Sequence, residues 1–459
     1  MDKLERLRPA GPLEKYSTAR HPLGLYFNVA VSATYKLPDT FTLPLKDYVY
    51  KACETLIGQH PILSAIPVGE DTVDTWWVRL PEIDLSDPVS FRQRTRNFPD
   101  GDEPDVELCE LLQTQHSTGF TAPLPYWRLF IFTEDANERR FTAAYVFHHA
   151  TGDGMSGKAF HETFLEALHA AVSLTPGEAK QIIPSPKTPL LPNLEAIHPL
   201  PLSFPFLANV FFKLKVWSPR DPGLWTGAKM FLPLNTHLRQ VVIPAAVSSA
   251  LRNKCRQQNT TITGALQTAI ARALFAHLPD QCTKVQLTGA ISSRRWLKGQ
   301  ITDQSMGVWV VEYGDSYGRK QVTRDPATFP WDEARRSRAT VERVLSREGK
   351  NTGVGLLKYV GNFIDLLKNK IGKDRGDSFE VSNIGVLKPD QTDPSRPLIG
   401  RVMFSQSPNV SGAALVVSSL SGGDGCLSLG ITWQKGVAEQ ELMNAVVDTL
   451  VRELHGAAQ

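Results

Sequence analysis

Residues 145–157 read Tyr145-Val146-Phe147-His148-His149-Ala150-Thr151-Gly152-Asp153-Gly154-Met155-Ser156-Gly157. The apolar run 141–147 that leads into the two histidines has the length and content of a buried strand. Gly152, Gly154 and Gly157 break it, and an amphipathic helix follows over 158–172, with Phe160, Phe164, Leu165 and Leu168 on one face. A histidine at the end of a buried strand is held rigidly and still reaches a cleft. Imidazole has the unperturbed pKa nearest neutrality, so it takes and returns a proton cheaply. Successive side chains on a strand point to opposite faces, so only one of His148 and His149 faces a substrate. The same alternation keeps the pair from sharing a metal ion. No nearby Cys or H-E-x-x-H helix adds ligands, so no metal site is expected. Asp153 lies four residues after His149, across a glycine-containing turn. It either pairs with that ring or points away and pins the loop to an arginine.

His148-His149-x-x-x-Asp153-Gly154 resembles the H-H-x-x-x-D-G signature of the chloramphenicol acetyltransferase-like superfamily. That group includes peptide-synthetase condensation domains, plant BAHD acyltransferases and fungal alcohol acetyltransferases. Leu7-Arg8-Pro9 with Glu14-Lys15-Tyr16-Ser17-x-x-Arg20, and Gly58-Gln59-His60-Pro61-Ile62-Leu63, are similar to the fungal alcohol acetyltransferase branch in particular. The resemblance covers nearly the whole chain. It implies an α/β (α+β) fold: two chloramphenicol acetyltransferase-like subdomains with mixed sheets, and between them a tunnel with a donor mouth and an acceptor mouth.

The same resemblance implies roles. His149 is the general base. Asp153 is an orienting loop anchor paired with an arginine, for which Arg294 and Arg20 are both candidates. Gly154 lets the backbone approach the thioester, and its N–H helps to hold the oxyanion; a glycine needed only for a positive φ is the plainer, compatible reading. Ser382 and Asn383, within Ser378-Phe379-Glu380-Val381-Ser382-Asn383-Ile384-Gly385, resemble the S-N-x-G segment of the fungal branch. They stand as oxyanion or acceptor contacts, or as a structural turn. Tyr16 and Arg20 lie near the tunnel, or form a surface arm tied down by an ion pair. His148 is a core hydrogen-bonding residue, with a substrate contact as the alternative.

Composition sets outer bounds. The chain has 459 residues, enough for one large or two medium domains. Lysine plus arginine number 50 against 47 acids, with the signs mixed along the chain, so no nucleic-acid partner is expected. Five scattered cysteines (Cys53, Cys109, Cys255, Cys282 and Cys426) suit reduced thiols in an intracellular protein. The opening M-D-K-L-E-R-L-R-P lacks an apolar core for a signal peptide, and no run approaches a membrane span. The expectation is a cytoplasmic monomer, with membrane association peripheral at most, at the endoplasmic reticulum or a lipid droplet.

Periodicity then divides the chain. Residues 1–175 read as an N-terminal acyltransferase subdomain, with strands at 23–35, 62–67, 75–80, 127–133 and 141–148 and helices at 44–60 and 106–116. Residues 176–232 form a Pro-rich apolar crossover. Its apolar stretch, 202–217, reads as packing between the halves, with a tunnel lid or membrane contact as alternatives. Residues 233–459 read as the C-terminal subdomain. Its helices fall at 244–256, 261–278, 331–347, 353–371 and 438–454, and its last four strands at 378–386, 398–406, 413–419 and 426–434.

Acyl transfer to an alcohol needs a base for the hydroxyl proton, fixed donors for the oxyanion and exclusion of water. No phosphate-binding glycine loop is present, so a coenzyme A donor is held by a tunnel and scattered polar or basic side chains. The leading expectation is an O-acyltransferase with no bound cofactor. It moves acetyl or another acyl group from acetyl-CoA (acyl-CoA) to a small-molecule alcohol, such as a fungal terpenoid or other secondary metabolite. Two alternatives stand beside it: condensation-type transfer from a carrier-protein thioester, and a catalytically silent ligand-binding protein on the same fold.

Overall fold

In the computed structural model the strand Arg140–Phe147 lies between Val29–Lys36 and Trp127–Thr133, antiparallel to both. A strand flanked on both edges and covered on both faces carries apolar residues without alternation, which accounts for the run 141–147. The structure describes residues 4–459 apart from 135–137, 216–218, 298, 300, 326, 388–392 and 394. The first large sheet has five strands in the order Leu398–Gln406, Val29–Lys36, Arg140–Phe147, Trp127–Thr133, Val89–Gln93. The helix Gly154–Ala170 packs on it through Phe160 and Phe164, and the Phe160 ring stacks on Tyr145 at 3.8 Å.

The second large sheet runs Leu224–Trp225, Lys284–Ser292, Phe379–Val386, Leu415–Ser421, Leu427–Gln434, Thr236–Ile243, with Val310–Gly318 antiparallel on Lys284–Ser292. Lys284–Ser292, Phe379–Val386 and Leu415–Ser421 pair in parallel, and Leu427–Gln434 is antiparallel to its neighbours. The sheets are thus mixed, and the fold is α/β of the kind implied. The helices Ile262–His277 and Gln440–Ala458 cover the second sheet, and each sheet has its own hydrophobic core.

The strand Leu398–Gln406 comes late in the chain but pairs with Val29–Lys36 in the first sheet. It sits at the seam: a Cβ on Gly430 of the second sheet would lie 2.2 Å from the Phe404 carbonyl oxygen, so the two sheets touch backbone to backbone there. The late segment therefore clasps the two halves together.

Local differences from the periodic reading have local causes. Residues 353–371 form three short pieces, Gly353–Leu356, Leu357–Tyr359 and Phe363–Lys368. Asn362 starts the last by accepting from the Ile364 and Asp365 N–H groups. Pro61 opens a 3₁₀ turn, Pro61–Ser64, before the strand Ala65–Val68. The apolar stretch 202–217 forms the helix Phe204–Lys215, but it does not pack between the halves: Phe204 is 82% exposed and Phe211 63%. Trp217 and residues 135–137, between the strands expected at 127–133 and 141–148, lie outside the described residues. Among the described residues no helix is long and apolar enough to cross a membrane.

Candidate active site

The two motif histidines leave the strand Arg140–Phe147 on opposite sides. His148 is 1% exposed. Its Nδ1 accepts from the Ala150 N–H at 3.0 Å, so the neutral ring carries its proton on Nε2, 3.5 Å from Glu70 Oε1. His21 mirrors this arrangement. Its Nε2 accepts from the Phe120 N–H at 2.8 Å, which leaves the proton on Nδ1, 3.4 Å from Glu70 Oε2. The Tyr126 hydroxyl donates to the same carboxylate at 2.8 Å. Burial first, then the charges of His21, His149 and Arg20, hold His148 well below its ordinary pKa.

The facing atoms of His21, Glu70 and His148 lie within 4.8 Å of one another, close enough to suggest a metal cage. The tautomers oppose it. A neutral imidazole that ligates with one nitrogen protonates the other, and here each other nitrogen already faces a backbone N–H donor. The cluster is a packed brace: each ring is anchored by a backbone N–H, and the Glu70 carboxylate, hydrogen-bonded by Tyr126, lies against both rings.

His149 faces the seam and is half-buried. Its ring centroid lies 5.5 Å from that of Tyr26. Nδ1 is buried without a hydrogen-bond partner among the described residues. Burial, and secondarily the Arg20 guanidinium, push the imidazole down to about 4, so it is neutral at pH 7. Arg20 and Tyr16 lie at the same seam and do not form a surface arm. Arg20 is 5% exposed, and its guanidinium stands 4.5 Å over the Tyr26 ring and 4.8 Å over the Tyr16 ring.

Asp153 points away from His149 and caps the helix Gly154–Ala170 by accepting from the Ser156 N–H at 3.1 Å. Its other partners come from the second half. Arg294 reaches it with Nη1 to Oδ2 at 2.7 Å and Nη2 to Oδ1 at 2.9 Å, and the Trp309 N–H donates to Oδ2 at 3.0 Å. Of the two candidate arginines, Arg294 is the partner. Burial alone would raise the Asp153 carboxyl, but the Arg294 charge and the hydrogen bonds outweigh it and hold it below the usual carboxylate range.

Beyond Asp153 a cavity of about 770 Å³ opens between the halves, lined by Gly154, Thr263, Ser292, Arg295, Ser382 and Asn383 among others. Gly154 begins its helix and is not among the glycines with positive φ. Space is what requires it: a Cβ there would lie 2.7 Å from Ile384 Cγ2 and 3.0 Å from Phe404 Cζ. The Asn383 amide is already engaged, donating to Thr263 Oγ1 at 3.0 Å and accepting from the Gly385 N–H at 2.9 Å. Gly385 has φ +84°, so the structural turn is present alongside the cavity lining. A separate cavity of about 400 Å³ near 32–36 and 398–403 holds no motif residue.

The sequence reading missed Glu70, His21 and Tyr26, which carry no local signal in the sequence.

Residues 9–454 match the family model described as AATase, alcohol acetyltransferase. The probable alcohol acetyltransferase crmB of Aspergillus fumigatus is 35% identical, covering 95% of this chain and 96% of that protein. The probable alcohol acetyltransferase FCK4 of Fusarium pseudograminearum is 25% identical over 98% of this chain and 95% of its own length. Among solved structures, the TRI3 trichothecene 15-O-acetyltransferase of Fusarium sporotrichioides superposes with a TM-score of 0.76 at 13% identity, covering 100% of this chain and 98% of that one. The first condensation domain of the calcium-dependent antibiotic synthetase superposes with a TM-score of 0.63 at 14% identity, covering 99% and 96%. At such identities these structures speak to the fold.

Proposed function

Since the chain belongs to the alcohol acetyltransferase family, we propose that it moves an acetyl or other acyl group from acyl-CoA to a small alcohol, with His149 as general base in a ternary complex. The observation that carries this is the placement of the His149 ring: half-buried at the seam, with Nδ1 free of any hydrogen-bond partner among the described residues and the ring held neutral at pH 7 by burial.

The acceptor hydroxyl gives its proton to the His149 ring as its oxygen bonds to the thioester carbonyl carbon. The carbonyl π electrons move to oxygen and form the tetrahedral oxyanion. Collapse breaks the carbon–sulfur bond, and the imidazolium returns the proton to the departing thiolate, so the ring ends neutral and no acyl-enzyme forms. The oxyanion lies near the positive end of the helix Gly154–Ala170, with the Gly154 N–H as the nearest donor of the motif. The 770 Å³ cavity takes the donor, and the exposed Arg295 at its rim meets the phosphates of coenzyme A. Asp153 and Arg294 act on geometry: they hold the turn that sets the ring and the helix start.

Incubating the purified protein with acetyl-CoA and a panel of alcohols tests this, with thiol release and ester mass as readouts. A parallel reaction with an acetylated carrier protein separates the condensation-type alternative. Thiol release no faster than spontaneous hydrolysis, with no ester from any alcohol, would sink the proposal.

A further inference from the structure

Arg20 is a cation that the fold buries without completing its hydrogen bonds. Stacking between Tyr16 and Tyr26 fixes the plane of its guanidinium. Of its five N–H donors, only Nη2 has an acceptor among the described residues, Ser17 Oγ at 3.4 Å. Nε is fully buried with none, and no described carboxylate pairs with the group. Buried charged donors are ordinarily satisfied, so this one is aimed at something the bare chain does not supply.

Glu380 faces the same space. On the strand Phe379–Val386, Phe379 and Val381 enter the second core, so Glu380 and Ser382 point to the seam. The carboxylate has one hydrogen bond, from Gln406 Nε2 to Oε1 at 3.4 Å. That amide also donates to Ser418 Oγ at 3.2 Å, and its oxygen accepts from the Tyr26 hydroxyl at 2.9 Å. Burial raises the Glu380 carboxyl to about 7, and the nearby Arg20 charge only partly offsets it. Glu380 and His149 are both only partly buried. Tyr26 links the two sites, touching the His149 ring on one side and Arg20 on the other.

We propose that Arg20 and Glu380 form a second polar subsite beside His149, which recognises an acceptor alcohol by a further hydroxyl group that is not acylated. The choice of hydroxyl follows from the charges. A carboxylate on the acceptor would be repelled by Glu380 and an amine by Arg20. A neutral group whose oxygen accepts from the guanidinium while its proton goes to the carboxylate suits both. This rests on the acyltransferase reading above and narrows its acceptor to a diol or a more highly hydroxylated molecule.

The test compares 1-octanol with 1,2-, 1,4-, 1,6- and 1,8-octanediol as acceptors for the full chain with acetyl-CoA. At least one diol is expected to exceed 1-octanol about tenfold or more in kcat/KM, since a site built to bond a hydroxyl discriminates against the analogue that lacks it. Glu380→Gln should lower that ratio about tenfold or more. Arg20→Lys, which keeps the charge but loses the fork, should lower it as well, with melting curves showing which variants fold. No preference for any diol in the wild-type protein, or a ratio within twofold of wild type in the folded variants, overturns the subsite and leaves acyl transfer standing. No ester from any of the five alcohols overturns the acyltransferase reading and the subsite with it.

Discussion

Arg294 grips Asp153 through two parallel hydrogen bonds, 2.7 and 2.9 Å, across 141 residues of chain, and both side chains are almost wholly buried. The pair joins the motif turn of the first half to the end of a strand in the second. Removing one partner of such a pair leaves a buried charge uncompensated, which costs about 3–5 kcal/mol. Asp153→Asn should therefore lower the denaturation midpoint substantially and reduce turnover together with it. Full thermal stability alongside lost turnover would show that Asp153 acts directly on the reaction.

His149 has no such structural duty. It makes no side-chain hydrogen bond among the described residues, and its ring is half-buried. Positioned proton transfer contributes about 10²–10⁴-fold in rate. His149→Ala should lower kcat by about that factor while the melting temperature and KM change little. Wild-type turnover in the folded variant would remove the ring from the mechanism.

Gly154 packs where the halves close, against Ile384 and Phe404. An added methyl has nowhere to go without moving one of them, and overpacking of this kind costs about 1–3 kcal/mol. Gly154→Ala should destabilise by that amount in urea titration and lower kcat, because the same shift disturbs the helix start. Unchanged stability would mean the seam is looser than these distances imply.

The brace of His21, Glu70 and His148 makes a prediction about metals. Both rings already use their lone-pair nitrogens on backbone N–H groups. Zinc should therefore leave the melting temperature unchanged, and exhaustive EDTA treatment should leave turnover unchanged. A zinc-dependent rise in melting temperature that Glu70→Gln removes would show that the rings flip to ligate.

What could be read in the sequence was what repeats locally. The strand, turn and helix around Tyr145 to Gly157, and the strands Phe379–Val386 and Leu427–Gln434, announce themselves by apolar pattern and glycine breaks. Which sheet a strand joins is not local. Leu398–Gln406 reads as a strand, but its place beside Val29–Lys36 depends on the route of the chain across the seam. The choice of Arg294 over Arg20 is of the same kind: Lys284–Ser292 happens to end opposite the motif turn, and the short turn Ser293–Trp296 aims the guanidinium at it. His21 and Glu70 lie on connecting segments, where spacing carries no information about what meets in space. The helix Phe204–Lys215 departs from the expected packing because an apolar stretch normally finds cover, and this one leaves Phe204, Phe211 and Phe212 exposed.

The pH behaviour separates the base from the fold. Burial, then Arg20, set the His149 imidazole at about 4, below its ordinary value near 6.5. A base must be neutral to accept a proton, so kcat/KM for 1-octanol, which has no second hydroxyl to meet Glu380, should hold level from pH 8 to below 6 and fall only as the pH approaches that lower value. Stability moves over the same window with a definite sign. Because the folded pKa is depressed, the unfolded chain binds protons near pH 6.5 that the folded chain refuses, so stability declines as pH drops from about 6.5 toward 4. His161, held at about 4 by burial, and His116, held at about 3, add to the decline in the same direction. Asp153, also depressed, withdraws its contribution at still lower pH. The protein should therefore begin to unfold before its base is titrated, and brief assays after a pH jump, paired with circular dichroism, distinguish the two losses. An acid limb near 6.5 in protein that circular dichroism shows to be folded would mean that the group titrating in catalysis is not this buried ring.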